Sequence, residues 1–524
     1  MTTPQQPEPP APTYGPYGRL NPYGGGGSGP VVPPQAPPPP VRGKRRRTTA
    51  VIAAVVALLL ASGGVAWYAL GGDEGSRGTD DAKASPGPTA SGAATPSAGP
   101  SGPPAPDAAD AARYNAGRAP GEASVLWVRK NDIDVTTLTG DVFGPWLVGD
   151  TLVTAMYRTV TAHSVVDGTV KWRMMLDTEI CRASHDASAD GKIVLARKDR
   201  LHADVDECRR LQAIDLRSGR SSWQRKIVKE GKFDFGTNFS LAISGGTVTA
   251  GRDQYSTGYR LSDGKQLFGR WEKSECQPYA YAGGPKLVAA VSCTKDVNKP
   301  REEIHEVDPA TGKSRWKYRL PVGYRVDHVL SVRPLVVSAD NRAQGTHGMV
   351  VLNEDGTKRA SLKGPGFYAE GCDDDTVQRG NLQRCQVVAD DTTVYIAIEG
   401  APEGAPEGKG NEIAAFDLDT GTIVRRIKGL DGRRSWPLRM EGGSLVVRRA
   451  ALLDEPGSLA TVAPGATEPV ETLRLPRVTG RLESRFHDSP ALYVDGRYIL
   501  VQQLVLGAND DEEMKRETLL AFGK

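Results

Sequence analysis

AIDLRSGRSSW, residues 213–223, runs from an apolar strand through Asp215 to a turn closed by Gly219, then into a strand that reaches Trp223. The same order returns in TAHSVVDGTVKW (161–172), EVDPATGKSRW (306–316) and AFDLDTGTIV (415–424). Thus Asp167 precedes Trp172, Asp308 and Gly312 precede Trp316, and Asp417 precedes Gly421. Weaker copies lie at Asp263-Gly264 and Asp355-Gly356, and a degraded one, LATVAPGATEPV, at 459–470. An Asp carboxylate accepts hydrogen bonds from turn amides, and Gly takes the positive φ that closes the turn. A bulky ring at one place in each unit (Trp172, Trp223, Phe268, Trp316) fills the wedge between neighbouring sheets.

A second signal is a polar turn followed by a short β-rich strand. It occurs as VGDTLVTA, SADGKIVLA, SGGTVTAG, GGPKLVAAV, RPLVVSA, ADDTTVYIAI, EGGSLVVRR and VDGRYILVQ. Self-similarity at about fifty residues marks a repeat architecture. The last strand, TLLAFGK (518–524), has no turn or Trp after it, while VLWVRK (125–130) has a Trp but no turn before it. The two ends complete one unit if the chain closes into a ring, which leaves only short, protected edges. The expected fold is all-β, an eight-bladed β-propeller, with seven blades as the alternative if the unit at Gly465 is no true repeat.

The 524 residues divide by composition. Residues 1–47 are rich in Pro and Gly and read as a disordered tail. Residues 48–70, TTAVIAAVVALLLASGGVAWYAL, carry no charge, and as a helix 50–70 would span roughly 30 Å, a bilayer's hydrocarbon thickness. Arg42, Lys44, Arg45, Arg46 and Arg47 precede this run and Asp73 and Glu74 follow it, so the expected topology is a single-pass anchor with a cytoplasmic N-terminus. A cleaved signal peptide is the alternative, although its basic region would be long and its core over-sized. Residues 71–120 read as a flexible linker, and 121–524 as the extracytoplasmic propeller.

The tail holds six Lys and Arg against one Glu, and the rest of the chain is close to neutral. That excludes the basic footprint of a nucleic-acid binder. The six cysteines, all beyond the anchor, fall into three local pairs: Cys181 with Cys208, Cys276 with Cys293, and Cys372 with Cys385. An even set in an oxidising compartment reads as disulfides, and the absence of CxxC removes a zinc-ribbon or thioredoxin reading.

The pattern of AIDLRSGRSSW and EVDPATGKSRW resembles the pyrroloquinoline-quinone (PQQ) repeat. Such blades build quinoprotein alcohol dehydrogenases and also non-enzymatic relatives, among them the envelope-assembly lipoprotein of Gram-negative outer membranes. The tail, anchor and linker are similar in layout to membrane-anchored proteins of actinobacteria. The resemblance implies a propeller over roughly 121–524, but a fold does not fix a function. Quinoproteins carry two adjacent cysteines beside the cofactor, and this chain has no Cys-Cys.

Other catalytic signals are thin. The seven histidines, 163, 185, 202, 305, 328, 347 and 487, are scattered, without H-E-x-x-H, and G-x-S-x-G is absent. GCDDD (371–375) fails the spacing of a calcium loop and reads as a solvated loop pinned by Cys372. APEGAPEGKG (401–410) reads as a hairpin tip, and His185-Asp186 as a surface pair. The expectation is a monomeric, non-enzymatic binding module for a protein or cell-wall ligand, without PQQ, metal or catalytic residues. The alternative is a quinoprotein-type oxidoreductase or another propeller enzyme.

Overall fold

The computed structural model describes residues 108–524 apart from 136–138, 203–207, 232–233, 235–238, 253, 297, 365–366, 370–371, 373–381, 384, 400–410, 430–432 and 487–488. The tail, the apolar run 48–70, most of the linker, residues 373–375, the tip 401–410 and His487 lie outside the described residues. Among the described residues no helix is long and apolar enough to cross a membrane.

Eight antiparallel sheets follow one another along the chain. Each is a meander whose strands are lettered A to D from the axis outwards. Blade 2, for example, comprises Ile180–Ala183, Lys192–Lys198, Cys208–Asp215 and Arg220–Lys226. Its B strand is buried through Ile193, Val194, Leu195 and Ala196, whereas its D strand exposes every residue except Trp223. Blades 1 to 7 occupy 139–175, 180–226, 239–268, 277–319, 325–362, 367–427 and 435–474. Blade 8 takes A, B and C from Ala491–Val494, Arg497–Val501 and Glu517–Gly523, and D from Ser124–Lys130 at the other end of the chain. The fold is an eight-bladed β-propeller. The unit at Gly465 is a true blade, with its C and D strands at Ser458–Val462 and Val470–Arg474.

The strand of the second signal is strand B in every blade, and the Asp–Gly turn joins C to D. Asp215 Oδ1 accepts the N–H groups of Arg217 (3.0 Å) and Ser218 (2.9 Å). Asp308 and Asp417 hold their turns in the same way, through Ala310 and Thr311, and through Asp419 and Thr420. Asp167 accepts from the Thr169 N–H.

The ring after each turn lies on the turn glycine of the next blade. A Cβ on Gly219 would stand 2.6 Å from Trp172 Cδ2, one on Gly264 2.7 Å from Trp223, and one on Gly168 2.7 Å from Trp127. The indole N–H groups then bond across the seam: Trp127 to the Val165 carbonyl (3.1 Å), Trp172 to Leu216 (3.2 Å) and Trp223 to Leu261 (2.7 Å). Phe268 lies on Gly312, and Trp316 on Gly356. The rule lapses afterwards. At Gly421 the backbone carbonyl of Ser361 replaces the ring, and at Gly465 Arg425 donates to the Ala466 carbonyl.

Two features close the ring. The link between strands B and C of blade 8 adds Leu504–Leu506 to the axial edge of blade 1, paired with Thr139–Asp141. In the same link Glu513, buried, accepts the Asn131 side-chain amide (3.1 Å) and the Val135 N–H (3.0 Å). The folded body also begins before residue 121. AADAARYNA, 108–116, is a helix inside the segment that composition assigns to linker. Alanines favour it and Asp110 suits its first turn. Ala111 and Tyr114 pack against blade 8, while the Asn115 side chain bonds both the N–H and the carbonyl of Val125.

Candidate functional site: the axial channel and its insertion

In blade 6 strand A is broken. Phe367–Ala369 pairs with Ala397–Glu399, the chain leaves, and Val388–Ala389 resumes the pairing at Val394–Tyr395. Of the residues between the two pieces, 372, 382–383 and 385–387 are described. Cys372 and Cys385 join the two ends of this insertion with a Cα separation of 3.8 Å. Leu382, buried, enters the core shared by Ala280 and Ala282 of blade 4 and Val329 and Val332 of blade 5. Its carbonyl accepts the Val329 N–H at 2.7 Å.

Gln383 reaches blade 4. Its Oε1 accepts the Gly283 N–H (2.6 Å) and its Nε2 donates to the Gly283 carbonyl (3.1 Å). That pairs one side chain with the backbone of blade 4. The same Nε2 lies 3.5 Å from Asp186 Oδ2 of blade 2. Gly283 has no room for a side chain, because a Cβ would stand 2.3 Å from the Ile243 carbonyl oxygen. The insertion thus straps the channel from blade 6 to blades 5, 4 and 2.

Polar groups gather beside the strap. The ladder between strands A and B of blade 5 shifts between Val326 and Val329, so Asp327 and His328 share a bulge, the device that re-aims side chains. Asp327 Oδ2 lies 3.2 Å from His328 Nδ1 and 3.6 Å from His347 Nε2, and accepts from the Ser338 hydroxyl at 3.3 Å. Burial pushes the Asp327 carboxyl up, but the two histidines outweigh it and hold the group well below the usual carboxylate range. Nearby, Glu302 accepts the Tyr279 hydroxyl (2.7 Å) and the Val326 N–H (2.8 Å). Burial raises both Glu302 and Tyr279 above their ordinary values.

The structure joins Cys181 to Cys208 and Cys276 to Cys293 as well, with Cα separations of 6.3 and 4.1 Å. His328 lies within 4.8 Å of both Cys372 and Cys385 sulfurs, and Glu303 stands likewise beside Cys276 and Cys293, but these sulfurs are committed to disulfides. Of GCDDD only Cys372 is described, as one post of the strap. His185-Asp186 sits at the mouth of the channel, where Asp186 faces Gln383. Sequence reading placed neither Leu382 nor Gln383. The one signal for them was the cysteine pair ahead of strand 393–399.

Residues 116–275 match the family model described as outer membrane protein assembly factor BamB, of the PQQ-like repeat type. No curated protein matches the chain. Among solved structures, BamB from Moraxella catarrhalis is similar at 12% identity and a TM-score of 0.41, over 77% of this chain and 100% of that one. The quinohemoprotein alcohol dehydrogenase ADHIIG from Pseudomonas putida HK5 is similar at 13% identity and a TM-score of 0.44, over 78% and 79%. A europium-containing methanol dehydrogenase is similar at 11% identity and a TM-score of 0.43, over 77% and 93%. The matched segment spans strand D of blade 8 and blades 1 to 3 of the propeller, where the rings lie on the turn glycines.

Proposed function

We propose that this chain is a membrane-anchored binding module of the cell envelope, a monomer whose propeller presents its strapped axial face to a protein or cell-wall ligand. The single observation that carries the reading is Gln383 paired with Gly283 across the channel. Leu382 and Gln383 tie blade 6 to blades 5 and 4, and residues held in this way on a rigid scaffold suit recognition. The anchor reading is supported by the charge-free run 48–70 with basic residues before it. Three disulfides in the folded part fit an oxidising compartment outside the membrane.

The test is capture of partners from solubilised membranes with the full chain and with Gln383→Ala. The variant is expected to lose the partner while its melting temperature stays within a few degrees. Equal capture by both chains overturns the assignment of the axial face. Titration with PQQ and calcium is expected to give no bound chromophore, and a stoichiometric one would favour the oxidoreductase reading. Protease added to wall-stripped cells should remove the propeller and spare the tail.

A further inference from the structure

Strand C of blade 4, Glu302–Val307, reads EEIHEV, so Glu303 and His305 project from the same face. Its ladder with Ser314–Arg319 pairs Glu303 with Arg319 and His305 with Lys317, then shifts so that Val307 meets Ser314. The shift brings the Ser314 hydroxyl over the imidazole: Ser314 Oγ lies 2.8 Å from His305 Nδ1. The other ring nitrogen, Nε2, lies 2.9 Å from Glu303 Oε2. Glu303 also accepts from Arg319 Nε at 2.8 Å and faces Lys317 Nζ at 3.4 Å. Burial pushes the Glu303 carboxyl up, and Arg319 and His305 more than offset it, so the group is ionised and can only accept. His305 Nε2 must then carry the hydrogen. Burial also keeps the imidazole neutral by lowering its titration, which leaves the Nδ1 lone pair facing the hydroxyl.

His305 and Glu303 are buried, but Ser314 is exposed. It lines a cleft of about 320 Å³ with Phe268, Gly269, Arg270, Trp271 and Lys313. The far wall is held in place. Trp271 donates its indole N–H to the Gly312 carbonyl (3.0 Å), and the Gln277 side chain bonds both the N–H and the carbonyl of Trp271 (3.1 and 2.9 Å). The Cys276–Cys293 disulfide ties down the same segment. A nucleophile within reach of a base, and a base oriented by a third group, are the geometric signature of covalent catalysis.

We propose that Ser314 and His305 form a nucleophile and general base for acyl transfer from carboxylic esters, with Glu303 as the residue that positions the base. Ser314 Oγ bonds to the ester carbonyl carbon as its proton passes to His305 Nδ1. The C–O bond to the alcohol breaks and the alcohol leaves with that proton. Water, deprotonated by the same nitrogen, then cleaves the acyl-serine and restores the hydroxyl. Arg270 and Lys313 line the cleft and bring positive charge to it, which favours an ester bearing an anionic group. The Trp316 carbonyl, 3.0 Å from Ser314 Oγ, is the competing acceptor for the hydroxyl. This site lies on the rim between blades 3 and 4 and goes beyond the axial binding face.

The full chain is treated with an alkyl fluorophosphonate and digested for mass spectrometry. The adduct is expected on Ser314, with none after Ser314→Ala, and p-nitrophenyl ester turnover is lost in the same variant. Loss of a general base lowers rates by about 10²-fold or more, so His305→Ala should label that much more slowly. Glu303→Gln should slow labelling at least about tenfold and Glu303→Asp should restore part of it, a rescue that a purely structural role does not predict. An unlabelled Ser314 in the folded chain overturns the proposal, as does equal labelling in His305→Ala. If His305→Ala does not fold, labelling of native against urea-unfolded wild type decides: preference for the native form supports the site, and equal rates overturn it.

Discussion

Ser124 stands opposite Gly523 in an antiparallel ladder that continues through Val128 and Leu520 to Lys130 and Glu517. Strand C of the last blade, from the end of the chain, is thereby covered by strand D from its beginning. Leu519, Leu520, Ala521 and Phe522 are all buried. Deleting residues 519–524 removes the partner of both Ser124–Lys130 and Arg497–Val501. The expected outcome is loss of a cooperative melting transition for the whole ring, measured by circular dichroism and calorimetry. A truncated chain that melts like the intact one contradicts closure by shared strands.

Gly219 and Gly465 separate two effects of the turn glycine. Both have positive φ, 66° and 80°. A Cβ on Gly219 would run into the Trp172 ring, whereas one on Gly465 would meet no atom within 4 Å. Gly465→Ala carries backbone strain alone, about 1 kcal/mol. Gly219→Ala adds overpacking against the ring, about 1–3 kcal/mol more. Urea unfolding of the two variants should rank them in that order.

Glu483 gives the ring a pH dependence. Burial raises its carboxyl from the usual 4.5 to about 7, although the Thr479 hydroxyl, the Gly457 N–H, Arg433 and Arg449 all pull it down. The folded state therefore binds this proton more tightly than the unfolded chain. Its contribution is complete below pH 4.5 and is lost as pH rises towards 7, by about 3 kcal/mol in all. Glu483→Gln should flatten this component. Urea midpoints of both proteins at pH 4.5 and 7.5 test it, and parallel profiles would falsify the assignment.

Replacing Cys372 and Cys385 by Ser frees the strap at its base. A loop of this length is worth about 3 kcal/mol in the chain-entropy account. Exchange of the Gly283 and Val329 amides, which the strap covers, should then speed up by about a hundredfold. Amides in blade 2, such as Val194, should keep their rates.

The blades were legible because their signals are local. Asp215 and Gly219 shape a turn within five residues, and the strand after SADG or EGG is apolar whatever surrounds it. Trp223 could be read as a wedge from recurrence alone. The strap was not legible, since Leu382 and Gln383 acquire meaning only from Val329 and Gly283, which the ring brings to them. Ser314 looked like a variable position of the turn motif, and His305 like a stray histidine, because a register shift between two strands sets their contact. His328 and His347 share Asp327 as a partner because of a bulge that no pattern announces. Residues 108–116 passed for linker because AADAARYNA has only two positions, Ala111 and Tyr114, that pack, and the Asn115 clasp on Val125 is polar.

That clasp decides how the domain bears mechanical load. A pull arriving from the N-terminal side of residue 108 would otherwise act on Ser124–Lys130, an edge strand joined to the ring by one ladder, and would unzip it bond by bond. The helix 108–116 intercepts the force first. Asn115 grips Val125 at both backbone atoms, Ala111 and Tyr114 press on the blade 8 core, and Gly117 abuts Val478. Tension is thus shared with the core that blades 7 and 8 have in common before it reaches the seam.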